Sequence, residues 1–192
     1  MATVDANSMR AVAPVEMSVL ARIYPALPAL PVSLTPFLGR DTERAEILAL
    51  LRRDDVRLIT LTGPGGIGKT RMALNVAREA ASDFRHGVAF VGLASTADPA
   101  LVSSAIKAAL NLPEQADLPV FESLIQGIGD RHLLIVVDNF EQVITAAPML
   151  STLLLASPGI KILVTSRERI ELTGEHLYPI APLPLPEESS AL

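Results

Sequence analysis

Eight consecutive residues, Gly63-Pro64-Gly65-Gly66-Ile67-Gly68-Lys69-Thr70, fit G-x-x-x-x-G-K-S/T at every position. The chemistry that needs this pattern is the binding of a di- or triphosphate. Several amide donors must come close to one anion, and glycines let the backbone wrap it because no Cβ intrudes. A helix opening at the last residues adds its positive end. Lys69 would reach the β- and γ-phosphates and the Thr70 hydroxyl would ligate Mg²⁺. Lys69 is one of only three lysines in the chain. A merely flexible glycine turn would not require a lysine there.

Three further residues could complete such a site. Asp138 closes an apolar run, Leu133–Val137, where a carboxylate would hold Mg²⁺ directly or through water. The competing role is a solvated turn acid capping the next helix. Glu141 is the nearest carboxylate that could position water for hydrolysis, since Asn139 cannot act as a base. An ordinary first-turn helix acid would look the same. Arg167 follows the Ile160–Thr165 run and could sense the γ-phosphate through its forked, permanently charged donors. A surface ion pair with Glu168 or Glu171 is the alternative. Arg71 reads as a residue on the surface of the helix that follows the loop. Phe84, Phe90 and Phe121 read as core side chains.

These residues must be positioned by alternating elements. An amphipathic helix is expected over Asp41–Arg53, with Ile47, Leu48 and Leu51 on one face. Strands are expected at Val56–Leu61, Val88–Leu93, Leu133–Val137 and Ile160–Thr165, with a short last one at Tyr178–Ala181. Helical spacing covers Lys69–Asp83, a stretch from Asp98-Pro99 to about Leu110, and the region of Phe121–Ile128. Phe140–Ala156 also reads as helical, with an interruption at Pro148. Ser157-Pro158-Gly159 reads as a turn. Strands that are apolar throughout and alternate with helices imply an α/β fold, a parallel sheet covered on both faces. Such sheets place ligands at the carboxyl ends of their strands, where Gly63–Thr70, Asp138 and Arg167 all fall.

Composition narrows the class. The chain has 192 residues, 49% hydrophobic and 19% charged, with no Cys and a net charge of −5. That is globular, and the absence of Cys excludes disulfides and thiolate metal sites. The acidic balance lacks the footprint of a nucleic-acid-binding domain, so direct DNA binding by this chain is not expected. No apolar run reaches the ~18 residues of a membrane helix, so a cytoplasmic location and no membrane partner are expected. Five prolines within the first 36 residues mark residues 1–36 as a leader, largely extended or disordered, with room for a short helix near Val15–Ile23.

Four segments in this order resemble the NB-ARC branch of the STAND-type P-loop ATPases, as found in bacterial LuxR-type and SARP-type transcriptional regulators. They are Phe37-Leu38-Gly39-Arg40, Leu61–Thr70 (LTGPGGIGKT), Leu133–Glu141 (LLIVVDNFE) and Leu163–Glu168 (LVTSRE). Gly174–Pro186 (GEHLYPIAPLPLP) is similar to the same group. The resemblance covers residues 37–186 and implies a P-loop NTPase three-layer sandwich with sheet order 5-1-4-3-2. It implies ATP or ADP with Mg²⁺ as ligands. Phe37, Leu38, Gly39 and Arg40 would hold adenine, largely through backbone. Gly63, Pro64, Gly65, Gly66, Ile67, Gly68, Lys69, Thr70 and Arg71 would surround the phosphates, with Thr70 and Asp138 on Mg²⁺. Arg167 would read the phosphate end, and the domain would act as a slow ATPase switch between ADP-bound and ATP-bound forms.

Asn139 stands where the wider family has a second acid, which weakens the expectation of efficient hydrolysis. The family continues into a small helical domain and a winged helix. Residues 187–192 read as the start of the next helical domain and the chain as a fragment. Nucleotide-dependent self-association, or contact with those regulatory domains, is the further partnership the resemblance implies. Two other readings of the same loop stand beside the switch: a small P-loop phosphotransferase, and a non-catalytic remnant that binds a protein partner.

Overall fold

The computed structural model describes residues 26–32, 35, 37 and 39–182. The helix suggested near Val15–Ile23, Leu38 and residues 183–192 lie outside them. Among the described residues the chain runs α1 (Asp41–Arg52), β1 (Leu58–Thr62), α2 (Lys69–Glu79), β2 (Val88–Gly92), α3 (Val102–Ala109), α4 (Val120–Ile128), β3 (Leu133–Asp138), α5 (Ala147–Ala156), β4 (Ile160–Ser166) and β5 (Glu175–Pro179). All strand pairs are parallel, in the order β2-β3-β4-β1-β5. That is the order 5-1-4-3-2 read from the other edge.

Residues in a strand point alternately to the two faces, so each central strand feeds two cores. On one face Ile59, Leu61, Leu134, Val136 and Leu163 meet Ile47, Leu48 and Leu51 of α1 and Met72 and Val76 of α2. On the other, Leu58, Val91, Ile135, Val137 and Val164 meet Ile106 of α3, Leu124 of α4 and Leu150 and Leu153 of α5. The result is helices, sheet, helices in three layers. Every residue of β1 and β3 is buried, which is why neither shows the apolar–polar alternation of a half-exposed strand.

Element ends deviate from the sequence reading for local reasons. The helix expected to reach Asp83 tightens into a 3₁₀ turn over Ala80–Asp83. The one expected from Asp98 opens as 3₁₀ over Pro99–Leu101, with Asp98 capping through Oδ1 to the Ala100 amide at 2.9 Å. In Phe140–Ala156 the break lies at Val143 (φ −136°), within a 3₁₀ segment Phe140–Ala146. Pro148 sits in the first turn of α5, where its missing N–H would have no intrahelical partner anyway. β5 starts three residues before the expected Tyr178, because none of this edge strand is fully buried and it carries no apolar run.

Residues 26–32 of the leader carry no helix or strand. They lie against the domain as a strap. Leu27 packs on the α3–α5 core and Leu30 on the α1–α2 core. Two arginines of α2 hold its backbone: Arg78 donates to Pro31 O, and Arg71 Nη2 to Thr35 O at 3.1 Å.

Candidate functional site

β1, β3 and β4 end side by side, Thr62 in register with Ser166 and Val137 with Val164. The loop after β1 enters α2 through Gly68, whose φ of +95° suits glycine. The first helical bond runs from the Met72 amide to Gly68 O at 2.9 Å. The amides of residues 69–71 therefore have no intrahelical acceptor, and the positive end of α2 faces the loop.

Lys69 is 8% exposed. Its Nζ donates to Gly63 O at 2.7 Å and Pro64 O at 2.9 Å, leaving one of three donors over. Burial holds the ammonium pKa below its ordinary value. The charges of Glu141 and Asp138 oppose that shift and the charge of Arg167 adds to it. Thr70 Oγ1 donates to Asp138 Oδ1 at 2.7 Å. Thr165 Oγ1 donates to the same oxygen at 2.6 Å and accepts from the Asn139 amide at 3.0 Å. Asn139 itself is left-handed, φ +62°, so the chain turns sharply after Asp138 and brings Glu141 back over the loop.

Glu141 and Arg167 close the rim. Arg167 Nε donates to Glu141 Oε1 at 3.2 Å. The arginine side chain is 64% exposed and the glutamate 10%. Glu141 Oε2 is buried without a hydrogen-bond partner, an acceptor poised for a donor. A Cβ on Gly65 would lie 3.7 Å from the Arg167 guanidinium, which therefore roofs the loop. The cleft has a volume of about 260 Å³ and is lined by Gly65, Gly66, Gly68, Lys69, Thr70, Arg71, Asn139, Glu141, Thr165 and Arg167.

Lys69, Thr70, Asp138, Glu141 and Arg167 thus meet around one cleft. Arg71 lines its edge but also holds the strap. Phe37 is half-buried against the α1–α2 core, and Gly39 is exposed with φ +73°. Arg40 is buried, and its side chain goes to carbonyls of the loop and of the segment after β5. The ion-pair partner of Arg167 is Glu141, not Glu168 or Glu171. Thr165 went unnoticed in the sequence. Its signal was its place at the end of β4, beside the strand that carries Asp138. Of the three phenylalanines, Phe84 is buried and Phe90 and Phe121 are partly buried against the cores.

A magnesium site needs few protein ligands when phosphate and water supply the rest. Thr70, which lines the cleft, and Asp138 Oδ1, bonded directly behind it, fit that demand. Among the described residues no cluster of three or more Asp, Glu or His side chains could hold a metal by itself. No helix among them is long and apolar enough to cross a membrane.

Residues 52–171 match the family of AAA domains. The chain belongs to that family. The match spans β1 through β4 and so contains the whole phosphate loop, Asp138 and Arg167. The chain is 38% identical over 160 residues to the uncharacterized protein Rv0894 of Mycobacterium tuberculosis, covering 83% of this chain and 40% of that one. It is 32% identical over 178 residues to the regulatory protein AfsR of Streptomyces griseus, covering 85% of this chain and 18% of AfsR. The chain thus spans well under half of these relatives. Among solved structures, the ADP form of the Aeropyrum pernix ORC2 protein has the same fold. Its TM-score is 0.55 at 18% identity, over 83% of this chain and 52% of that one.

Proposed function

We propose that this AAA domain is the nucleotide switch of an AfsR-like regulator: it binds ATP and ADP with Mg²⁺ and hydrolyses ATP slowly. The observation that carries the reading is the convergence of Lys69, the Thr70–Asp138 pair and Arg167 on one cleft at the carboxyl ends of β1, β3 and β4. The NB-ARC-like order of the sequence segments supports adenine as the base. DNA contact, signal reception and self-association would belong to other parts of a longer protein.

Each group has a role in that reading. The loop amides and the α2 terminus bind phosphate oxygens. The remaining donor of Lys69 serves the β- and γ-phosphates. Thr70 and Asp138 would hold Mg²⁺, which would neutralise phosphate charge. Glu141 orients the attacking water through its unpartnered Oε2. Arg167 leaves Glu141 Oε1 for the γ-phosphate. The pairing of Arg167 with Glu141, together with Asn139 where a second acid would help, accounts for slow turnover.

Titration calorimetry with Mg-ADP and Mg-ATP tests the proposal. Micromolar binding of both, with turnover far below the median enzyme value of about 10 s⁻¹, is the expected result. No binding at millimolar nucleotide, or fast turnover without a partner, would sink it. Asp138→Asn should weaken Mg-ATP binding about tenfold, close to 1.4 kcal/mol, while binding measured in EDTA stays near wild type. Equal losses with and without the metal would remove Asp138 from that role. Arg167→Ala should lower ATP affinity about tenfold or more, the loss expected of a charged hydrogen bond, with ADP affinity nearly unchanged. Equal effects on both nucleotides would count against γ-phosphate sensing.

A further inference from the structure

A loop that turns its amides toward an anion must turn its carbonyls the other way, and those carbonyls need donors. Lys69 serves Gly63 O and Pro64 O. Ile67 O, next to the left-handed Gly68, is served from outside the loop. Arg40 Nη2 donates to it at 3.0 Å, and the same nitrogen donates to Ala181 O at 2.8 Å. Arg40 is 4% exposed although it precedes α1 at the surface. Its Nη1 is enclosed without a hydrogen-bond partner, 4.0 Å from Glu43 Oε1.

Two further contacts join the same segments. The Ile180 amide donates to Thr62 O at 2.8 Å. Gly63 packs so closely that a Cβ there would lie 2.7 Å from Ile180 O. The start of the phosphate loop is thus tied to Ile180 and its end, through one guanidinium, to Ala181. A planar fork with fixed charge can hold two carbonyls in two directions at once, which an ammonium on a flexible stem does poorly.

We propose that Arg40 is a positioning residue for nucleotide binding: its side chain clamps the phosphate loop to the segment leaving β5, so that loop shape and the path of that segment are set together. The proposal rests on the nucleotide reading above, and it assigns to the Arg40 side chain a task separate from any backbone contact with the base. A shift of Ile67 O when phosphate enters would reach Ala181 through one residue.

Hydrogen exchange on the full chain without nucleotide, for wild type and Arg40→Lys, reads the clamp directly. Exchange in segments 63–72 and 175–182 should rise together by about tenfold, as expected for local opening, while the amides of β3 keep their protection. Mg-ADP affinity of Arg40→Lys should fall by about tenfold, the loss of a charge-assisted brace. Exchange raised evenly across the sheet would make Arg40 a general stabiliser and overturn the proposal. So would unchanged exchange in the two segments, or faster exchange with ADP affinity intact. If Arg40→Lys does not fold, wild type alone decides: Mg-ADP must slow exchange in both segments together, and protection confined to 63–72 overturns the clamp. A wild type that binds no ADP sinks the nucleotide reading, while the exchange comparison without nucleotide still judges the clamp.

Discussion

Lys69→Ala should abolish the rise in melting temperature that nucleotide produces. Wild type with Mg-ADP at 100 times its dissociation constant gains about 2.7 kcal/mol, a shift of roughly 5–11 °C for a domain of this size. In the variant a shift under about 2 °C is expected at the same concentration. The ammonium is buried, already oriented by Gly63 O and Pro64 O, and faces the cleft with a donor to spare. Each charged hydrogen bond lost to phosphate costs about 1.5–3 kcal/mol. An undiminished shift would show that the ligand binds elsewhere.

The free protein should respond to pH through the same group. Burial pulls the folded-state pKa of Lys69 down, so the unfolded chain holds that proton more tightly than the folded one. Stability then rises with pH between the lowered folded value and the ordinary 10.5 of the unfolded chain. Lys69→Met removes the buried cation and keeps its stem, but it also takes the donors from Gly63 O and Pro64 O. Whatever that loss costs, the stability of the free variant relative to wild type should fall as pH rises. Melting curves across pH 7–10.5 decide this.

Gly63→Ala should destabilise the fold itself. At φ +144° the backbone is in a region that side chains rarely adopt. The new Cβ would stand 2.4 Å from Ile67 Cδ1 and 2.7 Å from Ile180 O. The isoleucine tip can swing aside. The carbonyl cannot, because Ile180 is held by the Thr62 bond on one side and Ala181 by Arg40 on the other. Strain and overpacking together make about 3 kcal/mol a fair expectation, or roughly 6–12 °C in melting temperature. Nucleotide should still bind to whatever fraction folds, more weakly because the loop has moved. Gly66→Ala is the control, since nothing stands within 4 Å of a Cβ there and only its backbone strain remains. A Gly63→Ala protein that melts like wild type would mean the loop and Ile180 separate easily.

The sheet was legible because its central strands are buried on both sides. LLIVV and IKILVT are short apolar runs bounded by turn residues, as covered strands are, and Asp138 and Arg167 stood out by lying just past them. The loop was legible because phosphate chemistry leaves few alternatives to its glycines and lysine. What escaped were contacts between residues far apart in the chain. Glu141 pairs with Arg167 only because Asn139 turns left-handed and folds the chain back over the loop, a backbone state that no periodicity encodes. Thr165 meets Asp138 only because β4 lies next to β3. Arg40 reads only as part of a segment holding adenine through backbone, and the burial of its side chain depends on where β5 ends. β5 itself, half exposed and carrying Pro179, offers neither a continuous nor a cleanly alternating pattern.

The order of the sheet also governs how the protein can be made. β1, which carries the phosphate loop, sits between β4 and β5, with Leu58 opposite Ile162 and Glu175. Both neighbours are synthesised roughly a hundred residues after it, and such distant pairings are slow to form. A nascent chain can pair β2 with β3 early, but it carries β1 unpaired until β4 has been made. The loop that defines the domain is therefore among the last parts to acquire a shape, and chaperones or crowding neighbours meet that strand before any nucleotide can.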